Sequence, residues 1–207
     1  MKKVIAYVDG FNLYHGIDTL GDNRLKWLDL WALAQGMCAD TDEKVAAVYY
    51  FSAYATWRGK DSQKRHRDYV RALTARGVTF IEGNFKEKPR KCKNCLSRWH
   101  EHEEKETDVH IAVQLIHDAH LKSYDHAFLI TGDSDQAPTV KRAKAIHPAG
   151  KITIWLPPNR THGCNSLGDP RRDIRKARIE RCQLPDRVLA PDGSLLVERP
   201  LKFQTVV

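Results

Sequence analysis

No apolar run in this 207-residue chain approaches the ~20 residues that a bilayer-crossing helix needs, so a spanning helix is excluded. The basic start Met1-Lys2-Lys3 leads into a short apolar stretch that Asp9 interrupts, which is not the profile of a secretory signal. Cysteines are few and odd in number, five, and without such a signal they do not read as a disulfide framework. Internal repeats and low-complexity segments are lacking. A hydrophobic share of 42% beside 29% charged residues is that of an ordinary folded domain, not of a disordered chain. A cytoplasmic protein is the expectation. Neither a P-loop nor a Ser-His-Asp order is present to offer its own mechanism. Acidic residues are outnumbered, 26 against 34 Lys and Arg, for a net charge of +8. That balance favours polyanionic partners through counterion release, although a solvated basic surface accounts for it equally well.

What is present is a regular alternation. Lys3–Val8 is a nearly continuous apolar run of the kind buried on both faces of a parallel sheet. Leu25–Met37 carries leucines, alanines and the core-type Trp27 and Trp31 at helical spacing. Val45–Phe51 is a second strand, Asp61–Arg76 a basic helix stopped by Gly77, and Val78–Phe85 a third strand. Glu106–Leu121 predicts an amphipathic helix with Val109, Ala112, Val113, Ile116 and Ala119 on its core stripe. His126–Thr131, a helix ending near Ala145, and strand Lys151–Leu156 follow. Alternating strands and helices imply right-handed crossovers, hence an α/β fold whose parallel sheet has helices on both faces. After residue 182 the pattern changes: Arg187–Ala190 and Ser194–Glu198 flank Pro191-Asp192-Gly193, a hairpin-like turn signal. Residues 1–182 are therefore expected as one domain and 183–207 as a C-terminal extension.

Ligands of open parallel sheets bind beyond the carboxyl ends of the strands. Two acidic motifs fall there: Val8-Asp9-Gly10-Phe11-Asn12-Leu13-Tyr14 after the first strand, and Ile130-Thr131-Gly132-Asp133-Ser134-Asp135 after the fourth. The glycines would allow tight turns and a close approach of ligand to backbone. Asp108 opens the long helix and supplies a fourth carboxylate. Taken singly, either Asp-Gly motif reads as a turn or a helix cap. Together, carboxylates converging at one sheet edge repel one another, and Mg²⁺ or Mn²⁺, which prefer oxygen ligands, would relieve that repulsion.

The elements Val-Asp-Gly-Phe-Asn-Leu-Tyr (8–14), Lys-Glu-Thr-Asp-Val (105–109) and Ile-Thr-Gly-Asp-Ser-Asp (130–135), in that order, resemble the NYN domain of the PIN-like nuclease superfamily. The resemblance covers roughly residues 1–180. It implies a Rossmann-like sheet, an acidic Mg²⁺/Mn²⁺ site of Asp9, Asp108, Asp133 and Asp135, supporting roles for Asn12 and Ser134, and hydrolysis of RNA, most readily single-stranded.

Residues 86–104 interrupt the pattern. Cys92 and Cys95 form C-x2-C, with His100 and His102 close behind, a partial signature for a structural Zn²⁺. Cys164 or His162 would offer a fourth ligand, and a basic loop with two free thiols is the bland alternative. Two basic clusters stand out. Trp57-Arg58-Gly59-Lys60 leading into Lys64, Arg65, His66 and Arg67 reads mainly as a solvated face. Arg171, Arg172, Arg175, Lys176 and Arg178, on an expected helix, are the stronger phosphate-contacting set, while Trp57 or Tyr14 could stack on bases. Two other functions fit the same residues: a DNA-directed nuclease or phosphatase using the acidic site, and an RNA-binding module without catalysis.

Overall fold

The first apolar run is strand β1 (Lys2–Asp9). Its side chains alternate between two cores, Val4, Ala6 and Val8 facing one and Ile5 and Tyr7 the other. A computed structural model describes residues 1–160, 164–168 and 170–204. Along the chain follow α1 (Gly10–Asp18), α2 (Leu30–Met37), β2 (Glu43–Ser52), α3 (Lys60–Ala75), β3 (Thr79–Glu82), β4 (Asn84–Lys91) and β5 (Arg98–Lys105). Then come α4 (Thr107–His120), β6 (His126–Ile130), α5 (Ala137–Ile146), β7 (Lys151–Leu156), β8 (Arg171–Asp173), α6 (Lys176–Arg181), β9 (Arg187–Leu189) and β10 (Leu195–Glu198).

Six strands form one sheet in the order β3-β2-β1-β6-β7-β8, and every pairing is parallel. Helices α1, α2, α3 and α6 cover one face through Leu13, Leu33, Leu73 and Ile179. Helices α4 and α5 cover the other through Ile111, Leu115 and Val140. The winding reverses between β1 and β6. Loops leaving those two strands diverge to opposite faces there and open a crevice, the place where such sheets take ligands.

Several elements differ from expectation. The helix predicted from Leu25 begins at Leu30, where Asp29 accepts the Ala32 N–H at 3.0 Å. Leu25 and Trp27 are buried from a 3-10 turn and the loop after it, so apolar spacing ran on through backbone that is not α-helical. On α4 most of the predicted core stripe is turned away from the core, and of its members only Ala119 is buried. Val109 and Val113 are each 62% exposed, whereas Ile111, Leu115 and Ala119 are buried and Asp118 accepts the buried Tyr7 hydroxyl at 2.7 Å. This helix carries apolar residues on two faces, and periodicity alone could not choose between them. The third strand stops at Glu82. Gly83 breaks it, since a Cβ there would lie 2.5 Å from Thr107 Oγ1. Beyond it, β4 and β5 pair antiparallel as a charged arm, held by cross-strand ion pairs such as Lys88–Glu103.

Arg171–Asp173 is an edge strand rather than the start of a helix, because pairing with β7 overrides local preference; the helix begins at Lys176. The tail does form the hairpin β9–β10, and Leu184, Val188, Val197 and Phe203 pack into the same core as β1. No helix of the described residues is long and apolar enough to cross a membrane.

Candidate active site

Asp9 ends β1 and caps α1. Its Oδ1 accepts the Asn12 N–H at 2.9 Å, and its Oδ2 accepts the Thr131 hydroxyl at 2.8 Å. Thr131, fully buried just after β6, in turn accepts the Asp133 N–H at 3.0 Å. One hydroxyl thus joins the two loops at the reversal point. Asn12 Oδ1 adds a second link by accepting the Gly132 N–H at 2.9 Å. Asp133 caps the following turn, taking the Asp135 N–H at 3.0 Å. Capping and site-building are therefore the same act here: the bonds that start each helix also fix where each carboxylate stands.

The two glycines are packed closely against neighbouring parts of the chain. A Cβ on Gly10 would lie 2.6 Å from both the Phe51 carbonyl and the Tyr50 ring; one on Gly132 would lie 2.7 Å from the Arg160 carbonyl. They let α1 and the β6 loop press against neighbouring backbone.

Asp108 stands in the first turn of α4, exposed, with its carbonyl and Oδ1 held by Gln136 Nε2 at 3.1 and 3.4 Å. Asp135 is exposed on its turn, and Ser134 lies beside it half-buried. A fifth carboxylate joins them. Glu104, at the end of β5, is half-buried and takes the Thr107 N–H at 3.3 Å. Nothing in sequence singles it out from Glu101, Glu103 and Glu106; only the register of the arm, which sets Phe85 opposite it, brings it to the rim.

The electrostatics describe one cluster. Burial pushes the Asp9 carboxyl up to about 6, against the lowering effect of the Asn12 and Thr131 hydrogen bonds, and the charges of Asp108 and Asp133 add to the rise. Burial, then Asp108 and Asp9, push Glu104 up to about 7. Desolvation and the Asp133 charge raise Asp108 as well. The opposite end of the sheet shows the contrast. There burial raises Glu43 too, but the buried His126, 2.7 Å away, together with backbone hydrogen bonds such as that from Ala39, outweighs it and holds Glu43 below its ordinary value. Acid at the amino end is paired; acid at the carboxyl end is crowded with more acid.

An all-oxygen donor set of uncompensated carboxylates suits a hard divalent cation. Among the described residues no group of three or more His, Cys, Asp or Glu side chains is placed to hold a metal ion, so an ion here would rest on one or two carboxylates and keep several waters, as Mg²⁺ characteristically does. The residues fit such an ion on those terms.

At the arm's tip, Cys92 and Cys95 bracket a tight turn in which the Cys92 N–H donates to Ser97 O at 2.9 Å and Leu96 adopts φ 58°. The Ser97 hydrogen bonds, then Cys92, bring the Cys95 thiol down to about 7. The histidines are engaged elsewhere, His100 Nδ1 with Glu87 at 2.6 Å and the His102 ring stacked 3.9 Å from Trp57. The structure does not gather them with the two thiols. His162 lies outside the described residues, as does the Cys164 side chain.

Beside the carboxylates opens a cleft of ≈ 430 Å³ walled by Phe11, Tyr14, Tyr54, Trp57 and Phe85 and reached by Arg58, Arg65 and Glu104. Of the first basic cluster, Trp57, Arg58, Arg65 and His66 therefore line the cleft, while Lys64 pairs with Asp68 instead. The second lies on the edge strand β8 and beyond it, three strands from Asp9, roughly 14 Å across the sheet. Arg178 there donates to the Gly36 carbonyl and covers the Trp155 ring.

A doubly wound parallel sheet with crowded carboxylates at its reversal point defines the PIN-like class of α/β proteins. Within it, the family model for the NYN domain matches residues 3–158, and the chain belongs to that family, part of the PIN-like nuclease superfamily. Two individual proteins are similar. The 6-hydroxy-3-succinoylpyridine 3-monooxygenase HspA of Pseudomonas putida (strain DSM 28022 / S16) is 28% identical over 223 aligned residues, covering 86% of this chain and 69% of that one. A crystal structure of a protein of unknown function, VPA0982, from Vibrio parahaemolyticus RIMD 2210633, shares the fold with a TM-score of 0.53 at 20% identity, covering 84% of this chain and 94% of the other.

Proposed function

We propose that this protein is a divalent-metal-dependent ribonuclease that hydrolyses single-stranded RNA. The observation that carries the reading is the gathering of Asp9, Asp108, Asp133, Asp135 and Glu104 where the β1 and β6 loops part, each raised carboxyl owing part of its shift to the others. Membership of a generally nuclease-like family supports it.

Asp9 and Asp133, with Asp108 and Asp135 at the rim, would hold Mg²⁺ or Mn²⁺. When bound, such an ion supplies Lewis acidity toward a phosphate and makes a water more acidic. The chain does the rest. Thr131 and Asn12 keep the two loops in register, so the carboxylates stay in place while charge develops. Glu104, whose carboxyl is raised by burial and by the Asp108 and Asp9 charges, is suited to hold a proton and pass it to the departing oxygen. Arg58 and Arg65 in the cleft, and Arg171, Arg172 and Arg175 on the sheet edge, would take phosphates along the strand, and Ser134 would assist. A structural Zn²⁺ on Cys92 and Cys95 belongs to the same proposal; its remaining ligands would require His100 to leave Glu87 or His102 to leave Trp57. The test is cleavage of labelled single-stranded RNA and of duplex DNA with Mg²⁺, Mn²⁺ or chelator. Metal-dependent RNA products are expected, and their absence under every condition overturns the proposal.

A second reading takes its support from the relative named for oxidising a pyridine acid. An aromatic cleft with arginines at its rim also suits a small anionic heteroaromatic. Oxygenation would need dioxygen and a reduced nicotinamide or flavin, and the loop after β1, Asp9-Gly10-Phe11-Asn12-Leu13-Tyr14, is not a dinucleotide-binding glycine fingerprint. Incubation of the protein with 6-hydroxy-3-succinoylpyridine and those reductants, followed by mass spectrometry, separates the two readings.

A further inference from the structure

We infer that the aromatic cleft beside the carboxylates is a pocket for one unstacked nucleobase of the RNA strand, so that the enzyme grips a base next to the phosphate it cuts. The inference rests on the ribonuclease reading for its substrate and on the cleft for everything else.

The volume, ≈ 430 Å³, falls in the ~300–1,000 Å³ range of small-ligand sites. Two rings stand at its mouth with unusual exposure for their size, Tyr14 at 40% and Trp57 at 39%. Neither is loose. Gln63 Nε2 clamps the Trp57 loop by donating to the Thr56 and Arg58 carbonyls at 2.7 and 2.6 Å. The arm braces Trp57 from the side, with Phe85 edge-on at 4.3 Å and His102 stacked upon it. Tyr14 lies under Lys26 Nζ, 5.0 Å from the ring centre. Exposed aromatic rings held still by the chain around them are the platforms on which bases stack, and every base has a π-face to offer.

Charge selects the occupant further. Arg58, Arg65 and Lys202 line the same cleft and have no ion-pair partner among the described residues, whereas surface cations nearby, such as Lys26 with Asp18, are paired. An uncharged aromatic ligand would leave those three unanswered. A nucleotide answers them with its own phosphates while its base fills the aromatic space. Glu104 belongs to both the cleft wall and the acidic cluster, so a base in the cleft leaves its neighbouring phosphate facing the carboxylates.

The test is binding of a fluorescently labelled single-stranded RNA, and of an abasic ribose-phosphate strand of equal length, to the full chain in chelator. The base-bearing strand is expected to bind at least about tenfold tighter, the worth of a single base–aromatic stack. Trp57→Ala and Tyr14→Ala should remove that preference and leave affinity for the abasic strand unchanged, while Trp57→Phe keeps it. Equal affinity for the two strands, or a preference that survives both alanine variants, overturns the pocket. So does displacement of the RNA by 6-hydroxy-3-succinoylpyridine but not by a nucleoside monophosphate. Cleavage in Mg²⁺, measured alongside, keeps the two readings apart. RNA cut without base preference sinks the pocket and leaves the ribonuclease, and base preference without cleavage does the reverse.

Discussion

Replacing Asp9 by Asn removes one charge from the crowded end of the sheet without removing the cap. The Asn oxygen can still accept the Asn12 N–H, and its volume is the same. In the parent, the carboxyl lies at about 6 when folded against 3.8 ordinarily. Below about pH 3 it is protonated whether the chain is folded or not. As pH rises, the unfolded chain gives up its proton first, so the stability this group contributes is present at low pH and is lost as pH passes through about 6. At 1.36 kcal/mol per pH unit, the loss is about 3 kcal/mol for a fully buried group. The Asn variant has no such loss. In chelator, its stability relative to the parent should therefore climb by roughly 2 kcal/mol between pH 4 and 7, whatever fixed cost the altered bond to Thr131 adds at every pH. Urea unfolding at four pH values measures this directly. Mg²⁺ at about a hundred times its Kd should restore about 2.7 kcal/mol to the parent and little to the variant, which should also lose metal-dependent cleavage. A parent-to-variant difference that does not move with pH would refute the view of Asp9 as a buried, unpaired acid.

Three further outcomes are expected. Glu104→Gln should lower the rate of RNA cleavage by about 10²–10⁴-fold; a parent-like rate would strip Glu104 of its proton-transfer role. Replacing Arg171, Arg172 and Arg175 with Ala should reduce the slope of log affinity for single-stranded RNA against log salt by about 0.7 for each phosphate those arginines neutralise, and an unchanged slope would confine the binding face to the cleft. Protein purified without chelator should carry about one zinc per chain, and the Cys92→Ser, Cys95→Ser double variant should carry none. Zinc below about a tenth of an equivalent in the parent would leave the tip as an ordinary turn.

The parts of this fold that were legible in sequence are those whose burial is complete on both faces. β1 and β6 are continuous apolar runs cut off by Asp-Gly and Thr-Gly-Asp, and burial fixes both their length and where the acids emerge. Elements defined by what they pair with left no such trace. β8 is Arg-Arg-Asp, a strand only because β7 offers it an edge. The arm β4–β5 is charged along nearly its whole length, and its register rather than its composition carries Glu104 to the rim. The cleft was hidden for the same reason. Its rings come from α1, the segment before α3 and the arm, none of them neighbours in sequence, and the basic residues around Trp57 look from sequence like a solvated helix face. Even on α4, where the pattern was strong, two apolar stripes competed and packing against Tyr7 chose the quieter one.

The pairing of β1 with β6 sets Val4 beside His126, so the seam that carries the site closes a loop of about 120 residues. The half-sheet of β1, β2 and β3 is built from more local pairings. On the general tendency for distant pairings to form late, the acids would stay apart through most of folding and meet only as the second half docks. Their mutual repulsion would then bear on the final step alone. A chain arranged this way can collapse as if it had no active site, and defers the electrostatic strain of having one until the remaining contacts are in place to hold it.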